Sequence, residues 1–307
     1  MNDSHDYIYA LAVLPSPSLA LSGVTAETKR GDLVRDIFAA QKSGLYRSSD
    51  NGRTWSDAYA ALKLKQPLPT QAVAVTVAND IIYAFAAIQG RVLRSLDGGN
   101  KWESAGLDSP APIVTSLAVS PNFANDGLVL AATVQDGIFF STDRGVKWQG
   151  WNFGLYDSNI NALAFADSQT IVAAAQSGVF ISTNAGRSWR DMHFPIEAAP
   201  ALCVAVSEKK VIYIGTQAHG LYRSGDVGAT WEQIEDGAVE HIQISGEKKI
   251  LIVSDGELLS SKDGGKTWRM RAGLKTDSAI TCLCAPLGLD TSSPLLIGLD
   301  NGAVITL

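Results

Sequence analysis

The 307-residue chain is 46% hydrophobic and 18% charged, with 28 Gly and 11 Pro, the composition of a turn-rich globular protein with ample sequence to bury a core. Its 25 basic and 31 acidic residues leave a net charge of −6, and no Lys/Arg run exceeds two residues. That balance argues against nucleic acid and anionic membrane as partners, and no apolar run of about 18 residues offers a bilayer crossing.

In chain order, the first segment, MNDSHDYIYALAVLPSP, carries acidic residues where a secretory leader would be basic. It reads instead as a strand from Tyr7 to Leu14, and a cytoplasmic location is expected. The stretch from Ser16 to Gly31 is an irregular insertion. Beyond it, short runs rich in Val, Ile, Leu, Phe and Thr, closed by Gly, Asp, Asn or Pro, succeed one another in groups of four. The third group reads IVTSLAVSP, GLVLAATVQDG, GIFFSTDRG and VKWQGW, here called strands A, B, C and D. The fourth and fifth groups repeat that order.

One eight-residue signature recurs at each C-to-D hairpin: SSDNGRTW, SLDGGNKW, STDRGVKW, STNAGRSW, SGDVGATW and SKDGGKTW. Its tryptophans, Trp55, Trp102, Trp148, Trp189, Trp231 and Trp268, are spaced by 47, 46, 41, 42 and 37 residues, a period that marks a repeat architecture. Within each copy the acidic or amide residue (Asp50, Asp97, Asp143, Asn184, Asp226, Asp263) is expected to accept bonds from backbone N–H groups two residues on. The Gly two positions later takes positive φ, and the Trp lies flat against the neighbouring sheet. A buried Trp removes about 150–250 Å² from water, an upper estimate of roughly 4–6 kcal/mol.

The pattern S-x-D-x-G-x-[T/K/S]-W resembles the Asp-box or BNR repeat of sialidases, sortilin-type receptors, xyloglucan-degrading enzymes and photosystem-assembly propellers. Asn184 departs from the aspartate, and Lys101, Lys147 and Ser188 from the threonine. The resemblance implies one four-stranded antiparallel blade per repeat. The chain is therefore expected to be an all-β, seven-bladed β-propeller forming a single domain, with blades near 7–60, 71–106, 112–154, 159–194, 200–236, 238–273 and 278–307. The tail AITCLCAP, SPLLIGLD, NGAVITL supplies strands A to C of the last blade and no signature, so that blade is expected to be incomplete.

For function, the resemblance raises three readings. Sialidases of this kind use an arginine triad. Here Arg47, Arg94 and Arg223 precede signature serines, Arg53, Arg144 and Arg187 lie within signatures, and the family's arginine-isoleucine-proline motif is absent. Other glycosidases need two carboxylates about 5–10 Å apart. The D–A and B–C loops offer Asp108, Asp136, Asp157, Glu197, Asp255, Asp277 and Asp300, although isolated loop acids are ordinarily just solvated.

The third reading is a binding surface. B–C loops repeat a glutamine at Gln41, Gln89, Gln135, Gln176 and Gln217, either as a polar rim or by repeat descent alone. Trp151 is the one tryptophan outside the signatures, and it opens WNFGLYDSN with Phe153 and Tyr156. The next D–A loop, DMHFPIE, adds His193 and Phe194. Such aromatics suit a protein or sugar contact, or else they pack between blades as Leu155 of the recurring Gly-Leu pair would. Cys203, Cys282 and Cys284 sit in apolar runs as core thiols, and neither a metal nor a cofactor is expected. The reading favoured by these residues is a scaffold that engages another protein or assembly through the D–A and B–C loops, with carbohydrate binding or hydrolysis as the alternative.

Overall fold

The computed structural model describes residues 6–15, 34–107, 111–274, 276–290 and 293–307. The Ser16 to Gly31 insertion and the candidate carboxylate Asp108 lie outside them.

Seven antiparallel sheets succeed one another along the chain. The first holds β1 (Ile8–Pro15), β2 (Val34–Gln41), β3 (Gly44–Ser48) and β4 (Ser56–Asp57), and the second β5 (Ala72–Ala78), β6 (Ile81–Ile88), β7 (Arg91–Ser95) and β8 (Glu103–Gly106). The third comprises β9 (Ile113–Val119), β10 (Val129–Val134), β11 (Ile138–Ser141) and β12 (Gln149–Gly150), the fourth β13 (Ile160–Phe165), β14 (Ile171–Ala175), β15 (Gly178–Ser182) and β16 (Arg190–Asp191). The fifth has β17 (Ala201–Val206), β18 (Ile212–Thr216), β19 (Leu221–Ser224) and β20 (Glu232–Glu235), and the sixth β21 (Val239–Ser245), β22 (Lys249–Ser254), β23 (Glu257–Ser261) and β24 (Arg269–Met270). The last keeps three strands, β25 (Ile280–Cys284), β26 (Leu296–Leu299) and β27 (Val304–Thr306), as expected from the lack of a signature in the tail.

In every sheet sequential strands are neighbours, so A–B and C–D turns share one end and B–C turns the other. These sheets are the blades of a seven-bladed β-propeller. Two compact units comprise the chain, residues 1–104 with 273–307 and residues 105–272.

In the first unit β1 packs against both β5 and β25, joining the first blade to the second and the last. Ile37 and Leu296 are buried there among Leu11, Val13, Trp55, Cys284 and Val304. Gln41 is buried, and its amide Nε2 donates to the Gly302 carbonyl at 3.3 Å, so this member of the glutamine series is a structural tie within the unit.

In the second unit each B strand is buried on both faces, as in Ile171–Ala175, and its small residues let adjacent sheets approach. At Gly215 the approach is so close that a Cβ would stand 2.5 Å from both the Cys203 sulfur and the Val239 carbonyl oxygen. The A strands carry a register shift near their start, between Ile160 and Ala162, Ala201 and Cys203, and Val239 and His241. Near it, one side chain bridges to the next A strand: Thr115 donates to the Ile160 carbonyl (2.6 Å), Asn161 to Ala201 (2.7 Å) and the Cys203 thiol to Val239 (3.4 Å). The three cysteines are free thiols, and burial pushes each pKa up to about 12, away from reactivity.

Candidate partner-binding surface

The signature turn sets where every loop begins. Its serine is buried in all six copies, and its hydroxyl does what the sequence suggested the aspartate would do. Ser48 Oγ accepts the Gly52 N–H at 2.8 Å while donating to Asp50 Oδ1 at 2.8 Å. The aspartate accepts later donors, the Thr54 N–H at 2.8 Å and the Thr54 hydroxyl at 2.6 Å, four residues on rather than two. This correction has a geometric reason: the residue after the aspartate is itself left-handed, as in Asn51 (φ 63), Arg144 (φ 60) and Val227 (φ 59), which carries the next N–H groups past the carboxylate. The glycine then also takes positive φ, 82° at Gly52 and 84° at Gly228.

The carboxylates respond accordingly. Bonds from the Thr54 hydroxyl, the Thr54 amide and the Ser48 hydroxyl hold the Asp50 pKa down at about 2. The amide and hydroxyl of Thr230 do the same for Asp226, at about 2, and Asp263 is also depressed by Thr267. At Asp97 and Asp143 partial burial opposes the shift, but amide and serine donors still lower the pKa. In Asn184 the amide Oδ1 accepts the Ser188 N–H at 2.9 Å and the Nδ2 donates to the Ser188 hydroxyl at 2.8 Å, so the neutral side chain closes the same turn.

In four of the six signatures the closing tryptophan ties its blade to the one before. Trp102 donates its indole N–H to the Ala58 carbonyl (2.9 Å), Trp189 to Trp151 (3.3 Å), Trp231 to Met192 (3.2 Å) and Trp268 to Ile234 (3.1 Å). Each acceptor is the third residue after the preceding blade's own signature tryptophan. None of the six rings is exposed.

This tie places the extra aromatics. Trp151, whose carbonyl receives Trp189, stacks its ring on Phe140 (centroids 4.3 Å apart) and lies under the Arg187 guanidinium (5.8 Å). Asn152 pins the loop by accepting the Ile138 N–H (2.9 Å) and donating to the Asp136 carbonyl (3.1 Å). The Phe153 carbonyl accepts the Trp189 N–H (2.8 Å), which leaves its ring 79% exposed. Tyr156, 68% exposed, meets Phe180 edge-on and donates its hydroxyl to Asp191; that anionic acceptor, with partial burial, raises its pKa to about 12.

Trp151, Phe153 and Tyr156 thus form a strip of fixed backbone and open rings against the signature and D strand of blade four. Leu155 folds back into the core beside it. Of the residues that position the strip, Asn152 lies within it, whereas Arg187 in the next signature and Asp191 just after that signature carry no mark in the sequence that connects them to it.

His193 is exposed, with left-handed φ of 50° and its N–H bonded to Asp191 Oδ1 (2.6 Å). That turn sends Phe194 inward. Phe194 is 6% exposed, edge-on to Tyr222 and Trp231 at 5.1 and 5.0 Å, and so belongs to the core rather than to a contact surface. The exposed apolar residue of this loop is Ile196 instead, at 78%. Gln135, Gln176 and Gln217 are exposed on three separate B–C turns, two of them held by main-chain bonds, Gln176 N–H to Asn159 and Gln217 N–H to Pro200.

Among the loop acids, Asp157 accepts the Asn159 and Ser177 N–H groups at 2.9 and 2.6 Å, which lower its pKa despite its burial. Asp255 accepts the Ala238 N–H at 2.9 Å. Both are turn-forming acceptors. Glu235 is the one carboxyl among the described residues pushed upward, by burial and by the neighbouring Asp236. No group of three His, Cys, Asp or Glu side chains among the described residues is arranged to hold a metal ion.

No protein-family model and no curated protein matches the sequence. Among solved structures, YCF48 bound to D1 peptide aligns with a TM-score of 0.72 at 15% identity, over 99% of this chain and 92% of that one. The GH74 xyloglucanase from Xanthomonas campestris aligns at 0.71 and 17% identity, over 98% of this chain and 52% of that one. The extracellular domain of BT4673 from B. thetaiotaomicron aligns at 0.71 and 11% identity over 99% of this chain, which spans 39% of that domain's length. At such identities likeness extends to architecture and stops short of activity. The chain is a seven-bladed β-propeller.

Proposed function

We propose that this propeller is a non-catalytic scaffold that engages another protein through the Trp151–Phe153–Tyr156 strip, with Ile196 on the next D–A loop. The observation that carries the reading is the pairing of open rings with a pinned backbone. A contact surface loses least entropy when its aromatic anchors are already ordered, and Asn152, Trp189 and Asp191 order these. The architecture shared with YCF48 along nearly the whole of both chains, in a neighbour bound to a peptide, supports a protein partner.

Affinity capture from the native cell with the Phe153→Ala, Tyr156→Ala double variant tests the proposal. Recovery of a specific partner is expected to fall at least tenfold against the wild-type chain, with the melting temperature unchanged because both rings are mostly exposed. Undiminished recovery would reject the strip.

A hydrolase reading, the alternative that the GH74 neighbour supports, requires two carboxylates about 5–10 Å apart. It predicts xyloglucan hydrolysis. The scaffold reading predicts none.

A further inference from the structure

In three blades an arginine precedes the signature serine, Arg47, Arg94 and Arg223, and the first two are closed off by hydrogen bonds. Arg47 donates Nε to Asp36 Oδ1 (2.9 Å) and Nη1 to Asn100 Oδ1 (3.0 Å), Asn100 being the sixth residue of the next signature. Arg94 donates Nη2 to Glu103, which opens its own D strand. Arg223 has a counterpart to each of these partners and hydrogen-bonds to neither. Glu232 opens its D strand, but the Glu232 Oε2 stands 3.7 Å from Arg223 Nη1, an ion pair too long to be a hydrogen bond. The sixth residue of the next signature is Lys266, whose ammonium donates and cannot accept. The Arg223 Nε is enclosed and meets no acceptor among the described residues.

Arg223 and Lys266 line one cavity of about 600 Å³, together with Glu232 and with Glu247 and Lys248 of the turn between β21 and β22. It lies between blades five and six, within the second unit. Its walls are fixed. The Gly264 N–H donates to the Lys248 carbonyl (2.9 Å), the Trp268 indole to the Ile234 carbonyl (3.1 Å), and a Cβ on Gly265 would stand 2.5 Å from Ile234 Cδ1. Asp263 also lines the cavity, but its carboxylate is taken up by its own turn, accepting the Ser261 hydroxyl (2.8 Å) and the Thr267 N–H and hydroxyl (2.9 and 2.6 Å). Arg144, whose Nε is enclosed in the same way, anchors its guanidinium by donating Nη2 to the Ala124 carbonyl at 3.0 Å. Arg223 differs in that donors share an open space with donors.

We infer that this cavity binds a small phosphomonoester, its phosphate held by Arg223, Lys248 and Lys266 and its hydroxylated body met by Glu247. The three cations come from three separate elements, a C strand, an A–B turn and a signature turn, and together call for three acceptor oxygens. A phosphate group supplies three, a carboxylate two. The cavity falls within the roughly 300–1,000 Å³ of small-molecule sites, far more than a bare anion fills, so the phosphate carries an organic body. Glu232 and Glu247 balance two of the three cations, which keeps the cavity from trapping any anion and makes that body part of the recognition. This site shares no residue with the aromatic strip and does not depend on it.

Glucose 6-phosphate serves as the probe, titrated at constant ionic strength into the isotope-labelled 307-residue protein. Saturable shifts are expected at the Arg223 Nε–H and at the Lys248, Gly264 and Lys266 amides, with an affinity at least tenfold above that for inorganic phosphate and no saturable shift with glucose. Arg223→Gln is expected to weaken binding at least tenfold and Lys266→Ala about fivefold, the losses of charge-assisted hydrogen bonds. Lys266 is exposed, so its variant keeps the melting temperature of the wild-type chain. Glu247→Ala is expected to weaken binding of glucose 6-phosphate while leaving that of inorganic phosphate no weaker.

The inference would be overturned by the absence of a shift at Arg223, by an affinity insensitive to Arg223→Gln and Lys266→Ala, or by glucose 6-phosphate binding no more tightly than inorganic phosphate. Tighter binding of a hexaglutamate peptide would also overturn it, by making the occupant an acidic protein segment.

Discussion

At the scale of single residues, the turn chemistry divides labour between a buried serine and a half-buried or exposed aspartate. The Ser224 hydroxyl accepts the Gly228 N–H at 2.8 Å from a fully enclosed position, so Ser224→Ala leaves a buried donor unmet and is expected to cost about 1–3 kcal/mol in denaturant unfolding. The aspartates instead write a pH dependence. Folding depresses the Asp50 pKa from the ordinary 3.8 to about 2, so its contribution is complete above about 3.8 and is lost as pH falls through about 2. The Asn184 turn has no carboxylate to protonate. Amide spectra recorded from pH 5 to 2 should therefore show Thr54 and Thr230 moving while Ser188 stays in place; equal movement of all three would contradict this assignment. The signature residues themselves were legible in sequence because the motif repeats. Their hydrogen-bond register was not, because the left-handed residue after the aspartate is Asn, Gly, Arg, Ala or Val, and such a mixture announces no φ.

At the scale of elements, the tryptophan ties connect a hairpin to the blade before it. Trp231→Phe keeps an aromatic ring beside Phe194 but loses the bond to Met192, an expected cost of about 1 kcal/mol; Trp231→Ala also leaves a cavity and is expected to cost about 3–5 kcal/mol by chemical denaturation. Equal costs for the two variants would show that the hydrogen bond, not the packing, makes the tie. The D strands were legible only by their place directly after each tryptophan, since two residues such as Arg190-Asp191 carry no period. The loop aromatics show the limit of reading by composition. Phe153 and Phe194 occupy similar aromatic clusters, yet the first is held out by its carbonyl bond to Trp189 and the second is swung inward by the left-handed turn at His193. Sequence spacing records the presence of a ring and not the direction of its Cα–Cβ bond.

At the scale of the whole molecule, seven blades arise from six signatures and one tail because a period of 37 to 47 residues is long enough to hold four short strands and their turns. The interior was foreseeable in kind, since runs such as TIVAAA and LVLAATV are buried on both faces. The bridging side chains Thr115, Asn161 and Cys203 were not, because they differ chemically, Thr115 and Asn161 sit in the register shift while Cys203 follows it, and only the next A strand's carbonyl gives them a common role. The proposed partner contact rests on one departure from the repeat, the ring strip on the loop between blades three and four.

A photo-crosslinking residue placed at Tyr156 in the native cell tests that claim most directly, with the same residue at Met270 as the control, since Met270 is equally open at 65% but outside the strip. A discrete protein adduct from Tyr156 and none from Met270 is predicted. Adducts of equal yield at both positions, or none at Tyr156, would contradict the account.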